Sequence, residues 1–279
     1  NGLIYIRGQH ADYDDWARLG ATGWHYRSVL PFFKRSEDYA GPAGPYHGKG
    51  GELGVSDLRN DHPYCERWVE AARQFGLPRN ADFNGDTEYG VGGYQLSIRG
   101  GWRASSSVSF LHPVRSRPNL TVVTRAQVSR VLFSGDRATG VEWLQGGQVR
   151  TTTADREVVL SAGALQSPQL LMLSGIGDGA QLQQQGIATV HHLPGVGRHL
   201  HDHVDVVQVV DAPQLTDLFG LSGRGLLNAW RGVLEWRRQR SGMLTTNFAE
   251  AGGFIRSDPA EVLPDLQLHF VIGKLVDHG

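Results

Sequence analysis

Cysteine is nearly absent: Cys65 stands alone in 279 residues, which excludes an internal disulfide and a cysteine-built zinc cluster and fits a reducing compartment. An excess of one charge is absent too, with 27 Lys and Arg against 28 Asp and Glu. That balance excludes the basic footprint of a nucleic-acid-binding protein and a polybasic membrane anchor. No apolar run is long enough to cross a bilayer, and residues 1–16 do not have the pattern of a secretory leader. The expectation is a cytoplasmic protein without a transmembrane segment. Association with the inner face of the membrane and assembly into a homo-oligomer are left open.

Glycine, in contrast, is abundant: the chain has 37, nearly twice the usual share of about 7%. Such a content implies many tight turns and close backbone approaches, as cofactor-binding α/β proteins need. The length suffices for one large domain or two ordinary ones with a sizeable core. The chain begins at Asn1 without a methionine and stops at Gly279 in what reads as an unfinished domain, so an internal portion of a longer protein is expected.

Residues 158–177, V-V-L-S-A-G-A-L-Q-S-P-Q-L-L-M-L-S-G-I-G, carry the strongest local pattern. Val158, Val159 and Leu160 read as a buried strand that stops at Ser161, Ala162 and Gly163. Ser167 stands where an N-cap belongs and Pro168 at the first helical position. Leu170, Leu171 and Leu173 then supply apolar contacts before Gly175 closes the helix. Small residues at a strand end let backbone amides approach a ligand near a helix N-terminus. The alternative is a packed β-α corner with no ligand.

Elsewhere, residues 26–39 predict an amphipathic helix with Val29, Leu30, Phe32 and Phe33 on its apolar side. Residues 41–54 read as a Gly/Pro loop, residues 63–75 as a helix in which Cys65 packs, and Asn84-Gly85 with residues 90–93 as turns. A short helix ends at Leu111, before Pro113 and Pro118. Four β-rich runs follow at 120–123, 128–133, 139–144 and 149–153, predicting a β-meander. Beyond them come a short helix at 180–186, a strand at 204–210, a helix at 224–240 and a last strand at 266–271. Asp12, Asp14 and Asp15 lack the glycine and terminal glutamate of a calcium loop. His191, His192, His199, His201 and His203 lack the spacing of a metal-binding helix, so no metal site is expected.

The run 163–177 resembles the second signature of the glucose-methanol-choline (GMC) family of flavin-dependent oxidoreductases, matching its small-residue pair, Ser-Pro, apolar pair and Ser-Gly-apolar-Gly ending. The opening N-G-L-I-Y-I-R-G is similar to the family's segment beneath the flavin ring. The resemblance implies a mixed α/β fold, comprising part of an FAD-binding Rossmann-like domain with a β-meander and part of a substrate domain on an antiparallel sheet. By that resemblance, residues 1–40 form a flavin-contacting strand and lid and 41–103 a substrate-domain insertion. Residues 104–200 form the FAD portion, and 201–279 an incomplete substrate domain.

The implied cofactor is FAD. Asn1, Gly2, Leu3 and Ile4 would contact the flavin, and Val128 would pair its backbone with the adenine edge. Ala162 and Gly163 would lie close to the nucleotide. For Val128 the residue pattern alone reads as a plain strand position. Asn247 and Glu250 resemble a segment lining the substrate pocket of choline-dehydrogenase-like members, although an ion pair with a neighbouring arginine would equally account for Glu250. The stretch 194–203 resembles a crossing between the family's two domains, with His201 in place of the usual glutamine.

Two family features are missing. No G-x-G-x-x-G follows a strand; Gly175-Ile176-Gly177 with Ala180 mimics it but follows a helix. The family's catalytic histidine motif is absent as well, so no catalytic residue is expected in this chain, which alone would be inactive. The implied activity of the full enzyme is oxidation of a choline-like or aliphatic primary alcohol to an aldehyde by hydride transfer to the flavin, with quinone or oxygen as electron acceptor. The competing readings are a non-catalytic nucleotide-binding or interaction fragment and, within the family, a hydroxynitrile lyase.

Overall fold

The computed structural model describes residues 2–60, 62–210, 214 and 223–273. Its chain divides into two units, the first made of Asn1–Arg117 with Gln208–Gly279 and the second of Pro118–Val207. In chain order the first unit supplies α1 (His10–Arg18), α2 (Tyr26–Ser36), β1 (Glu37–Tyr39), β2 (Leu53–Val55), α3 (Pro63–Gln74), β3 (Gly90–Gly93), β4 (Ile98–Arg99) and β5 (Trp102–Arg103). The second supplies β6 (Gln127–Ser134), β7 (Arg137–Gln145), β8 (Gln148–Thr153), α4 (Gly163–Leu173), β9 (Ile176–Gly177), α5 (Gly179–Gln184) and β10 (His191–His192). The chain returns to the first unit with α6 (Gly223–Gln239), β11 (Ala251–Ile255) and β12 (Leu266–Phe270).

In unit 1, α3 begins where His62 accepts from the Tyr64 amide and Pro63 takes the first helical turn, as the sequence pattern requires. Its inner face sets Cys65 and Val69 against Val91, Ala251 and Ile272, which makes the apolar centre of the unit. β11 and β12 pair antiparallel from Ala251↔Phe270 to Ile255↔Leu266, the antiparallel sheet expected of the substrate portion. Glycine is forced here by crowding: a Cβ on Gly92 would meet the Asn80 carbonyl oxygen at 2.0 Å, and one on Gly252 the Leu268 oxygen at 2.0 Å. The helix predicted over 26–39 stops at Ser36, and Glu37–Tyr39 instead pairs in parallel with Leu53–Val55. The extended backbone turns the Glu37 carboxylate inward, where Arg7, His47 and the Gly48 amide all engage it.

In unit 2, β6, β7 and β8 form the predicted antiparallel meander. Gly135, Gly146 and Gly147 take the positive φ that its two tight turns demand. Helix α4 lies on β6. At the contact the Ser174 hydroxyl accepts from the Val131 amide at 2.8 Å and donates to the Leu170 carbonyl at 2.6 Å.

Four expectations fail in this unit or at its border. Residues 158–163 form no strand, and Val159 is 74% exposed, because an apolar run buries itself only between two neighbouring strands and no described strand pairs with it. Helix α4 starts at Gly163 rather than after Ser167, whose hydroxyl accepts from the Ala162 amide at 3.1 Å from inside the first turns. Pro168 therefore sits within the helix. Residues 120–123 run unpaired, cut off from β6 by Arg125 at φ 55°. Residues 204–210 are exposed and likewise find no partner strand among the described residues. The mixed helix-and-sheet class stands, and the region 163–177 does read helix, glycine, short strand.

Candidate functional site

In unit 1 the opening segment is held by its backbone. Gly2 and Leu3 both take positive φ, 52° and 65°, so the chain makes a left-handed step that leucine adopts only at a cost. It then docks through Ser97 N to Leu3 O at 2.8 Å, Tyr5 N to Gln95 O at 2.8 Å and an isolated bridge between Ile4 and Leu96. Asn1 lies outside the described residues. Two residues on, Asn84 accepts from the Arg7 amide at 2.8 Å and donates to Tyr5 O at 2.9 Å and to the Gln95 side chain at 2.6 Å.

Beneath this segment lies a buried charged chain. The Arg7 guanidinium pairs with Glu37 at 3.0 Å, Glu37 contacts His47 Nδ1 at 3.1 Å, and His47 Nε2 contacts Asp82 at 3.0 Å. With His47 protonated the set holds two positive and two negative charges, so no charge is left uncompensated. Burial works against the imidazolium, yet Asp82 and Glu37 outweigh it and raise His47 to about 9. Burial alone would raise Asp82, but its bonds to His47 and the Asn84 amide hold it below the ordinary carboxylate range.

A cavity of about 570 Å³ opens beside Arg7, walled by His10, Tyr26, Asn84, Glu88, Tyr89 and Arg256 with residues 262–264. His10 stacks on Tyr26 at 3.7 Å between ring centres, and the Arg256 guanidinium lies 4.7 Å from the centre of Tyr89. Burial, reinforced by the charge of Asp12, raises the Glu88 carboxyl to about 8, so near neutral pH this wall carries a carboxylic acid able to donate a proton. Sequence reasoning missed Glu37, His47, Asp82 and Glu88. Only the Asn84-Gly85 turn gave a sign of the place, since a histidine inside a glycine loop carries no pattern of its own.

Of the two predicted substrate residues, Asn247 is half-buried and donates to Ala249 O at 3.1 Å, while its Oδ1 is buried without a hydrogen-bond partner. Glu250 is fully buried, and Asn60 Nδ2 and, at 3.4 Å, Cys65 Sγ donate to its carboxylate. Neither residue lines the 570 Å³ cavity, and the arginine pairing weighed for Glu250 is not among the described ion pairs.

In unit 2, Ala162 and Gly163 stand exposed at the start of α4. Gly163 has φ 87°, no side chain caps the helix, and a Cβ on Gly163 would meet nothing within 4 Å. The Ala162 amide is taken by the Ser167 hydroxyl, and the start of α4 otherwise stands open with the positive end of the helix dipole behind it. A cavity of about 380 Å³ adjoins it, walled by Ala164, Leu165, Pro168, Met172 and residues 197–201. Val128 lies on β6, the edge strand of the meander, opposite Trp143 and next to a register shift that bends the strand. This open corner and the exposed edge have the features a nucleotide needs: a helix start for phosphate, a free backbone edge for a base. Of the histidines of 191–203, His192 accepts from the Gly179 amide at Nδ1, at 3.0 Å.

The family model described as GMC oxidoreductase matches residues 1–205. Mitochondrial choline dehydrogenase of Mus musculus is 42% identical over 279 residues, covering 100% of this chain and 46% of the relative. Alcohol dehydrogenase [acceptor] of Pseudomonas putida is 42% identical over 286 residues, covering 100% of this chain and 51% of the relative. Among solved structures, an FAD-dependent oxidoreductase from Chaetomium thermophilum superposes with a TM-score of 0.81 at 29% identity, covering 91% of this chain and 47% of that one. The chain thus spans about half the length of the relatives it matches. With the match running through the opening segment, the meander and the signature helix alike, the chain belongs to the GMC oxidoreductase family, a family of FAD-dependent flavoproteins.

Proposed function

We propose that the whole protein is an FAD-dependent dehydrogenase or oxidase that converts an alcohol, choline-like or aliphatic and primary, into an aldehyde. The observation that carries the reading is the uncapped start of α4 at Ala162 and Gly163, open and left-handed within the family signature. FAD supplies the hydride acceptor when bound. This chain's part is to hold it. Gly2, Leu3 and Ile4, with Asn1 before them, present backbone to the flavin. The open start of α4 at Ala162 and Gly163 lies close to the nucleotide, and the Val128 edge serves the adenine.

On the substrate side, the unpaired Asn247 Oδ1 offers an acceptor for a hydroxyl, and Glu250 supplies negative charge toward a cationic head group. The catalytic base lies outside this chain. Quinone or oxygen takes the electrons, and the protein works in the cytoplasm or against the inner membrane face. The similarity to a choline dehydrogenase and to an alcohol dehydrogenase supports the alcohol class without choosing between them.

The test is the visible spectrum of the purified whole protein under anaerobic conditions. A bound flavin that choline or a primary alcohol bleaches is the expected result, with aldehyde as the product. Absence of flavin, or a flavin that no alcohol reduces, refutes the reading, and release of cyanide from a cyanohydrin without bleaching would assign a lyase instead.

A further inference from the structure

Asn84 takes over where the opening segment runs out of backbone partners. Residues 3–5 lie beside residues 95–97, and the Ile4 bridge with the bonds to Ser97 and Gln95 makes a short ladder there. Two residues further on, Arg7 is buried and its amide needs an acceptor. The Asn84 carboxamide supplies it. Its oxygen accepts from the Arg7 amide at 2.8 Å and its nitrogen donates to Tyr5 O at 2.9 Å. One planar side chain thus does for residues 5 and 7 what a peptide group of a further strand would do. The orientation of the amide is forced, because an N–H can only donate and a carbonyl only accept.

Asn84 is itself held from several sides. It is buried, Nδ2 also donates to Gln95 Oε1 at 2.6 Å, and its backbone amide donates to Asp82 Oδ1 at 3.0 Å. Asp82 is fixed in turn by His47 Nε2 at 3.0 Å. On the Arg7 side chain, Nη1 donates to Tyr46 O at 2.6 Å and Nη2 pairs with Glu37 at 3.0 Å. A segment gripped at 5 and 7 by a rigid amide cannot slide along its neighbour. Upstream, Leu3 holds φ 65° after Gly2 at 52°, a conformation that leucine leaves unless the bonds around it offset the strain.

We propose, on the strength of the flavin contact inferred above for residues 1–4, that Asn84 is a positioning residue for the flavin. By fixing residues 5–7 it holds the left-handed turn at Gly2 and Leu3, whose backbone meets the ring. The amide is required for this. Aspartate has the shape but lacks the donor, and sets an oxygen against Tyr5 O and Gln95 Oε1; alanine leaves the Arg7 N–H and the Tyr5 carbonyl unpaired.

Titration of the whole apoprotein with FAD tests this, read together with visible circular dichroism of the bound flavin and with melting temperature. Asn84→Asp is expected to weaken FAD binding about tenfold or more and to change the dichroism. Gly252→Ala, whose methyl group would meet the Leu268 oxygen at 2.0 Å, is destabilised away from the opening segment and should keep both at wild-type values. Leu3→Gly separates positioning from stability. Glycine takes the left-handed turn with little strain, so in the Asn84→Asp background it should restore FAD affinity about threefold. Should Asn84→Asp fail to fold, Asn84→Gln, which displaces the same amide by one methylene, is held to the same expectations. FAD binding and dichroism at wild-type values in the Asn84 variant overturn the inference and leave the flavoprotein reading intact. So does a loss that follows melting temperature alike in Gly252→Ala and is not restored by Leu3→Gly. A wild-type protein that binds no flavin refutes both.

Discussion

Unit 1 and unit 2 solve the problem of an interior with different materials. Unit 1 buries Arg7, Glu37 and His47 together and packs glycine strands so closely that a single methyl group has no place. Unit 2 buries little beyond Val131, Leu170, Ser174 and Leu182 and leaves Val159, Leu165 and Leu173 exposed. The charges of unit 1 satisfy one another and face inward. The features of unit 2 that matter, the open start of α4 and the edge of β6, face outward. A unit that has spent its polar groups on itself behaves as scaffold and cavity wall; a unit that keeps them unspent is built to meet something else.

The largest test of this contrast removes one carboxylate from each unit. Glu37→Gln leaves Arg7 buried without its counter-charge and His47 with Asp82 alone, a loss of about 3–5 kcal/mol. Glu142→Gln breaks the exposed Arg130–Glu142 pair of the meander, held at 2.8 Å, and should cost far less, because solvent screens an exposed pair. Urea unfolding measures both. Equal effects would show that the buried set of unit 1 has no special weight.

Acidity separates the units next. The folded pKa of His47 is raised from 6.5 to about 9, so its contribution is complete below pH 6.5 and is lost as pH rises through 9. Glu88, raised from 4.5 to about 8, acts with the same sign: its contribution is complete below pH 4.5 and is lost as pH climbs to 8. The melting temperature should therefore fall between pH 6.5 and 9. His47→Gln should flatten that slope at the expense of stability at pH 6. Glu88→Gln should raise the melting temperature at pH 8 and leave it near wild type at pH 4.5. A wild-type melting curve independent of pH across this window would remove the charged chain from the account.

Glycines give a sharper and smaller comparison. Gly92→Ala drives a methyl group against the Asn80 carbonyl at 2.0 Å, an overpacking that costs about 1–3 kcal/mol. Gly163→Ala has open space around it but a φ of 87°, so its cost is the left-handed penalty of about 1 kcal/mol. The two should differ in kind as well. Gly92→Ala is expected to lower stability while the folded fraction keeps its flavin, and Gly163→Ala to weaken flavin retention with a smaller fall in melting temperature. Fluorescence of released flavin distinguishes them, and the reverse pattern would exchange the roles of the units.

Legibility in the sequence follows the same division. Local signals were read well: Pro63 after His62 starts α3, glycine pairs turn the meander, and residues 163–177 disclose the family. Signals that depend on a neighbour were misread. Residues 158–163 and 204–210 have strand composition but find no partner among the described residues, and composition cannot report a missing neighbour. Ser167-Pro168 imitates a helix start, yet Gly163 already begins the helix because only it takes the left-handed turn. The charged chain of Arg7, Glu37, His47 and Asp82 joins residues far apart in sequence, and single-sequence periodicity holds no record of such pairing.

The finest test concerns Val128, where the backbone is proposed to do the recognising and the side chain little. Val128 is 39% exposed on the edge strand β6, so Val128→Ala removes little buried area and should change stability by about 0.5 kcal/mol or less. It should leave FAD affinity within about twofold, because a backbone contact does not depend on the side chain, as the energetics of a single hydrogen bond of about 1 kcal/mol imply. Val128→Pro deletes the N–H and should lower FAD affinity at least fivefold, at an edge position where proline is tolerated. Titration of apoprotein with FAD reads both variants. If alanine weakens binding as much as proline does, the valine side chain is the contact, and the edge of β6 loses its assigned role.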